Sequence, residues 1–188
     1  MATRVDLPRG TPSAESYERF LAGIVSAGEV LHLAVLSTEK RDLAPLLAGF
    51  YRLAASRNGW LAHGSGHGQV DHDRALLAEH GLEVAALQAR GQMVLGELDL
   101  TADPARWAEE WRIALATRQA DDGFDALWFS RFPVPPLDAF LPYDQAFAQC
   151  FAGHRAVGLC TYVPGTAAYE RSRVATTVDR IHDVVLLG

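Results

Sequence analysis

The feature that most constrains this chain is a regular alternation of short apolar runs with stretches of helical periodicity. VLHLAVL (Val30 to Leu36), WLAH (Trp60 to His63), QMVLGEL (Gln92 to Leu98), DALWFS (Asp125 to Ser130), AVGLCTY (Ala156 to Tyr162) and DVVLL (Asp183 to Leu187) are each of strand length. Between them lie helix signals. Asp42 precedes the stripe Leu43, Leu46, Leu47, Phe50, Tyr51 and Leu53, and Gly81 closes a helix over Asp73 to His80. Asp103-Pro104 opens one carrying Trp107, Trp111 and Leu115 on one face. A proline-broken stretch (Pro133, Pro135, Pro136) leads into a helix through Phe147 and Phe151, and the last helix is placed near Tyr169 to Val178. Strands separated by helices form βαβ units, so the chain predicts an α/β fold around a largely parallel central sheet.

The opening segment MATRVDLPRGTP is polar, carries two prolines and reads as a loose arm. Thr11-Pro12 then predicts a helix start, with Tyr17, Phe20, Leu21, Ile24 and Val25 on one face and Gly28 at its end. The organisation expected is therefore an arm and short helix over 1–29 and one domain over 30–188, with the Tyr17/Phe20/Ile24 stripe available for self-association.

Composition narrows the partners. With 188 residues and 49% hydrophobic content the chain can bury a sizeable core without a disulfide or structural metal. Its net charge of −6 and lack of a basic stripe argue against nucleic acid, whose affinity rests on Lys/Arg contacts to phosphate. No apolar run approaches the ~20 residues of a membrane-spanning helix. The two cysteines, Cys150 and Cys160, and an N-terminus without a secretory apolar region point to free thiols in the cytoplasm.

Four segments, in order, resemble a known family. HLAVLSTEKRDLAPLLAGF from His32 resembles its opening strand, turn and helix. LEVAALQARGQMVL resembles the lead into its third strand, GFDALWFSRF a core strand, and GLCTYVPG with the later His182 its closing segment. The chain is similar over Leu31 onward to the MEDS domain, the sensory domain of methanogens, methylotrophs and the dichloromethane-responsive regulator. The resemblance implies a three-layer RecA/KaiC-like sandwich and a sensory role of the kind attached to kinases or transcription factors; with signalling by protein contact, the partner expected is a kinase, anti-sigma factor or transcription factor. His32, Cys160 and His182 match the family's recurrent His, Cys and His.

The residues themselves argue against ATP hydrolysis. A phosphate cradle needs a glycine-rich turn and a lysine after the first strand, whereas Ser37-Thr38-Glu39-Lys40-Arg41-Asp42 contains no glycine. Lys40, the chain's single lysine, reads as a solvated turn residue. DALWF ends in Ser130-Arg131 rather than the acid that would organise Mg²⁺. The expectation is a non-catalytic module with no cofactor that binds a small organic ligand, a regulatory protein, or both. Ligands in parallel sheets sit beyond the carboxyl ends of strands. Candidate binding residues are therefore Ser37, His63, Ser130, Arg131 and Tyr162 at those ends, where Arg131 and Ser130 would hold an anion; His32 and Cys160, with His182, could line one cavity if their strands are neighbours, and imidazole and thiolate there suit zinc or haem iron. The alternative is a metal-dependent hydrolase using HGSGHGQVDHD, in which His63, His67 and His72 supply neutral imidazoles, although their spacing matches no closed site. Ser65 in Gly64-Ser65-Gly66 lacks the GxSxG elbow of a serine nucleophile.

Overall fold

A computed structural model describes residues 2–10, 12–25, 31–36, 43–133, 139–163 and 168–188. The elements run β1 (Thr3–Asp6), α1 (Ala14–Ile24), β2 (Leu31–Leu36), α2 (Leu43–Ser56), β3 (Trp60–Ser65), α3 (Val70–Glu79) and α4 (Val84–Ala89). They continue with β4 (Met93–Glu97), α5 (Pro104–Asp121), β5 (Leu127–Arg131), α6 (Leu141–Cys150), β6 (Ala156–Tyr162), α7 (Ala168–Ile181) and β7 (Val184–Leu187). The strands form one seven-stranded sheet in the order β1-β7-β2-β6-β5-β3-β4, and every pairing is parallel. The expected α/β fold with a largely parallel sheet is what the chain forms.

Helices cover both faces, as a parallel sheet requires. On one face Tyr17 and Leu21 of α1, the apolar stripe of α2, Leu77 of α3 and Val84 and Leu87 of α4 pack on Leu33, Val35, Leu61, Trp128, Val157, Leu159 and Leu186. On the other, Leu115 of α5 and Phe147 and Phe151 meet Trp60, Ala62, Leu127, Phe129 and Ala156, while Val178 of α7 covers Ala34, Cys160, Tyr162 and Val185. Trp107 and Trp111 belong to this packing, edge-on or tilted against Phe129.

Local signals place the helices. Asp103 caps α5 by accepting from the Arg106 backbone N–H at 2.9 Å, with Pro104 in the first turn. Gly81 adopts φ +80°, the left-handed conformation that ends α3. Ser13, rather than the Thr11-Pro12 pair, caps α1; Gly28 and Asp42 lie outside the described residues. A short helix, α4, occupies a stretch the periodicity did not mark.

One expectation about the N-terminal segment is corrected. Residues 3–6 are not loose: they form the edge strand β1, register-paired with β7 from Thr3↔Val184 to Asp6↔Leu187. The pairing partner lies at the far end of the sequence, so no local pattern announces it. The α1 stripe faces inward. Tyr17 is buried, and Phe20 and Ile24 pack against the core. The helices approach closely because Gly49 of α2 lacks a side chain; a Cβ there would lie 2.5 Å from the Ala14 carbonyl oxygen and 2.8 Å from the Tyr17 Cβ.

A buried histidine, thiol and carboxylate array

Side chains alternate across a strand, so register decides which candidates meet. His32 pairs with Gly158, Ala34 with Cys160 and Leu36 with Tyr162, placing His32, Cys160 and Tyr162 on the α6/α7 face. Arg131 is level with Gly64 and points to the same side as Phe129. Ser130 is level with both His63 and Leu159, on the opposite face. The sheet thus divides the expected ligand set, with His32, Arg131, Cys160 and Tyr162 on one side and His63 and Ser130 on the other. Ser37 and Lys40 lie outside the described residues.

The first group converges with His182, two residues before the start of β7. The His32 ring lies over Gly158, where a Cβ would approach its Cδ2 and the Phe147 Cε1 to 2.9 Å each. His32 and His182 stack with ring centroids 4.0 Å apart. Their tautomers follow from their partners. A carbonyl oxygen only accepts, so Nδ1–H of His32 donates to the Ile181 carbonyl at 2.9 Å and Nδ1–H of His182 to that of Val178 at 3.0 Å. Each Nε2 therefore carries a lone pair. That of His32 lies 3.1 Å from Cys160 Sγ, and that of His182 is buried without a hydrogen-bond partner.

Cys160 Sγ also lies 3.1 Å from Asp144 Oδ1 of α6. One S–H thus faces two acceptors and satisfies one at a time. Asp144 is the hub of the remaining contacts: its Oδ2 accepts from the Tyr162 hydroxyl and from Arg131 Nη2 at 3.3 Å. Arg131, 1% exposed, donates from Nη1 to the Thr161 carbonyl at 3.3 Å and lies 3.8 Å from the Phe140 ring centroid. Its Nε has no hydrogen-bond partner. The expected anion-binding arginine is therefore a buried cation whose carboxylate is supplied internally by Asp144, and Ser130 takes no part, donating instead to the Leu159 carbonyl at 2.7 Å.

Burial sets the protonation states. Desolvation, reinforced by the charge of Asp144, holds the Cys160 thiol and the Tyr162 phenol well above their ordinary pKa values. Desolvation also lowers His32, and it lowers His182 to about 3. The array rests with neutral imidazoles and a protonated thiol. Beside it, Leu98, Trp107, Phe129, Phe140 and Tyr143 join Arg131 and Asp144 around a cavity of about 10 Å³, room for roughly one water molecule.

The histidines of the glycine-rich loop do not converge. His63 is an interior residue of β3, 3.0 Å by Nδ1 from the Tyr51 hydroxyl and 3.5 Å by Nε2 from the buried carboxylate of Asp73. His67 is fully exposed and contacts Glu97 at 3.0 Å, and His72 lies exposed on α3. Ser65 is wholly buried.

Sequence reasoning missed Asp144. Its signal was present, since an acid falls within the stripe Phe140, Tyr143, Phe147 and Phe151 where the inward face of a helix should be apolar. A scan against models of known protein families finds none that matches this chain, and a search of curated proteins finds no match either.

Proposed function

We propose that this chain is a non-hydrolytic sensory module of RecA-like ancestry that binds a small organic molecule beside the buried array and signals to a regulatory protein. The observation that carries the reading is an assembly of six buried polar side chains, His32, Arg131, Asp144, Cys160, Tyr162 and His182, with unpartnered polar atoms at Arg131 Nε and His182 Nε2. Unpartnered buried polar atoms cost about 1–3 kcal/mol each. A purely structural core gains nothing from keeping them, whereas a binding centre does. The glycine-free segment after β2 supports the non-hydrolytic part of the reading. The MEDS-like order of motifs supports the sensory part.

A cavity this small admits an organic molecule only when its lining side chains reorient, which couples occupancy to α6, the helix carrying Tyr143 and Asp144. The rival hydrolase reading draws no support from the dispersed positions of His63, His67 and His72. The test is a panel of methanol, dichloromethane, formate, acetate and propionate, read by melting temperature and by tryptophan fluorescence, since Trp107 lines the cavity. At least one member should raise the melting temperature and perturb the fluorescence. A flat response across the panel, or steady hydrolysis of Mg-ATP by the purified chain, would overturn the proposal.

A further inference from the structure

We propose that His32, Cys160 and His182 form a site for a thiophilic divalent transition metal ion, zinc(II) in the first instance. The ligand atoms of these residues lie within 4.8 Å of one another and all three residues are buried. A tetrahedral zinc ion with bonds of ~2.0–2.3 Å spaces its ligands roughly 3.3–3.8 Å apart, so donors within 4.8 Å of one another need to close by about 1.5 Å at most. Among the described residues no other such group of His, Cys, Asp and Glu side chains occurs.

Two further observations point to a cation. Both imidazoles are oriented by Nδ1–H bonds to backbone carbonyls, the arrangement that fixes the tautomer and aims Nε2 in histidine metal ligands. The lone pairs also outnumber the protons. His32 Nε2, Asp144 Oδ1 and His182 Nε2 present three acceptors to a single thiol hydrogen, and the last has no partner. A metal ion resolves that imbalance at once.

Binding is a substitution without redox change. The Cys160 S–H bond breaks, the sulfur pair forms the bond to the metal, and the proton passes first to Asp144 Oδ1, 3.1 Å away, and then to solvent. Three protein donors leave a tetrahedral ion one position, which is suited to a small exogenous molecule bearing a lone-pair atom. This use of the site rests on the sensory reading above; the metal site itself does not.

The experiment strips the full chain with chelator and titrates it with cobalt(II) as the spectroscopic substitute for zinc. Saturation is expected at one equivalent, with a thiolate-to-cobalt charge-transfer band in the near ultraviolet, strong visible bands of four-coordinate cobalt, bleaching by zinc, and release of about one proton per ion. Cys160→Ala should abolish the charge-transfer band and weaken binding by at least about 100-fold, beyond the ~10–100-fold that loss of an outer-shell partner brings. His182→Ala should weaken binding comparably, and Cys150→Ser and His67→Ala should leave the spectrum unchanged. Absence of the charge-transfer band in the unmodified chain overturns the proposal whether or not any variant folds, and so does its loss in Cys150→Ser. Repeating the organic panel on the metal-free chain separates the two readings. A response there with no cobalt band refutes the metal site alone, and a cobalt band with no response in either form refutes the organic sensor alone.

Discussion

Removing the Asp144 carboxylate should be among the most damaging single changes available to this fold. Asp144→Ala leaves Arg131 buried with no counter-charge, its Nη1 contact to the Thr161 carbonyl remaining as its hydrogen bond, and takes an acceptor from Tyr162 and from Cys160. Breaking a buried pair by deleting one partner costs about 3–5 kcal/mol. The Arg131 and Asp144 side chains are only 1% and 4% exposed, so solvent screening offers little relief. For a chain of 188 residues each kcal/mol lowers the melting temperature by about 2–4 °C, so a fall of roughly 8–16 °C is expected for a loss near 4 kcal/mol. The assay is urea unfolding followed by tryptophan fluorescence and circular dichroism, run on Asp144→Ala, Arg131→Met, Asp144→Leu and the Arg131→Met/Asp144→Leu double variant. With both charges gone the desolvation penalty disappears as well, and the double variant should lose only about 1–2 kcal/mol. A loss below about 1 kcal/mol for Asp144→Ala, or a double variant as unstable as the sum of its singles, would refute the account of the pair as a coupled buried unit.

Gly158→Ala should cost roughly 1–3 kcal/mol by overpacking, because His32 and Phe147 occupy the space of the new methyl group. Gly96→Ala, with nothing within 4 Å, is the matched control and should stay within about 0.5 kcal/mol; equal melting temperatures for the two would contradict the packing described. In chelator-treated protein, stability should fall as pH drops below about 6.5 and keep falling toward 3. Desolvation and then His32 depress His182 to about 3, with Asp144 opposing and Arg131 adding, so the unfolded chain binds more protons across that window. His182→Gln should flatten the slope of ΔG against pH, and an unchanged slope would exclude His182 as its source. Deleting residues 2–7 should expose the β7 edge and promote self-association, measured by sedimentation velocity; a deletion variant that stays monomeric would show that β1 is not needed to protect that edge.

The pattern of the middle of the chain was readable because helix and strand periods differ and are local. Leu31 to Leu36 of the first apolar run and Ala156 to Tyr162 became β2 and β6, and Asp103-Pro104 began α5. What failed was non-local. TRVD is too short and polar to declare itself, and becomes a strand through its pairing with VVLL. The candidate site was legible by residue type and not by arrangement. His32, Cys160 and His182 were identified as a group from their resemblance to recurrent positions, but strand parity separated Ser130 from its neighbour Arg131 and sent His63 to the other face. Arg131 was expected to hold an anion from outside, because its internal partner, Asp144, arrives from a helix whose rotation about its axis no sequence spacing specifies.

The strand order also governs when the fold can be completed. β7, translated after the other six strands, lies between β1 and β2. Until it emerges, the growing chain presents β2 with one side unpaired and β1 with no partner, and the half of the array that depends on His182 has no scaffold. Loop closure over nearly the whole sequence must precede that insertion, which makes the last step slow and dependent on long-range contacts. A nascent or unfolded chain therefore carries a strand-shaped vacancy that the matching segment of a second copy fits equally well, so exchange of β7 between chains is the misassembly this topology invites.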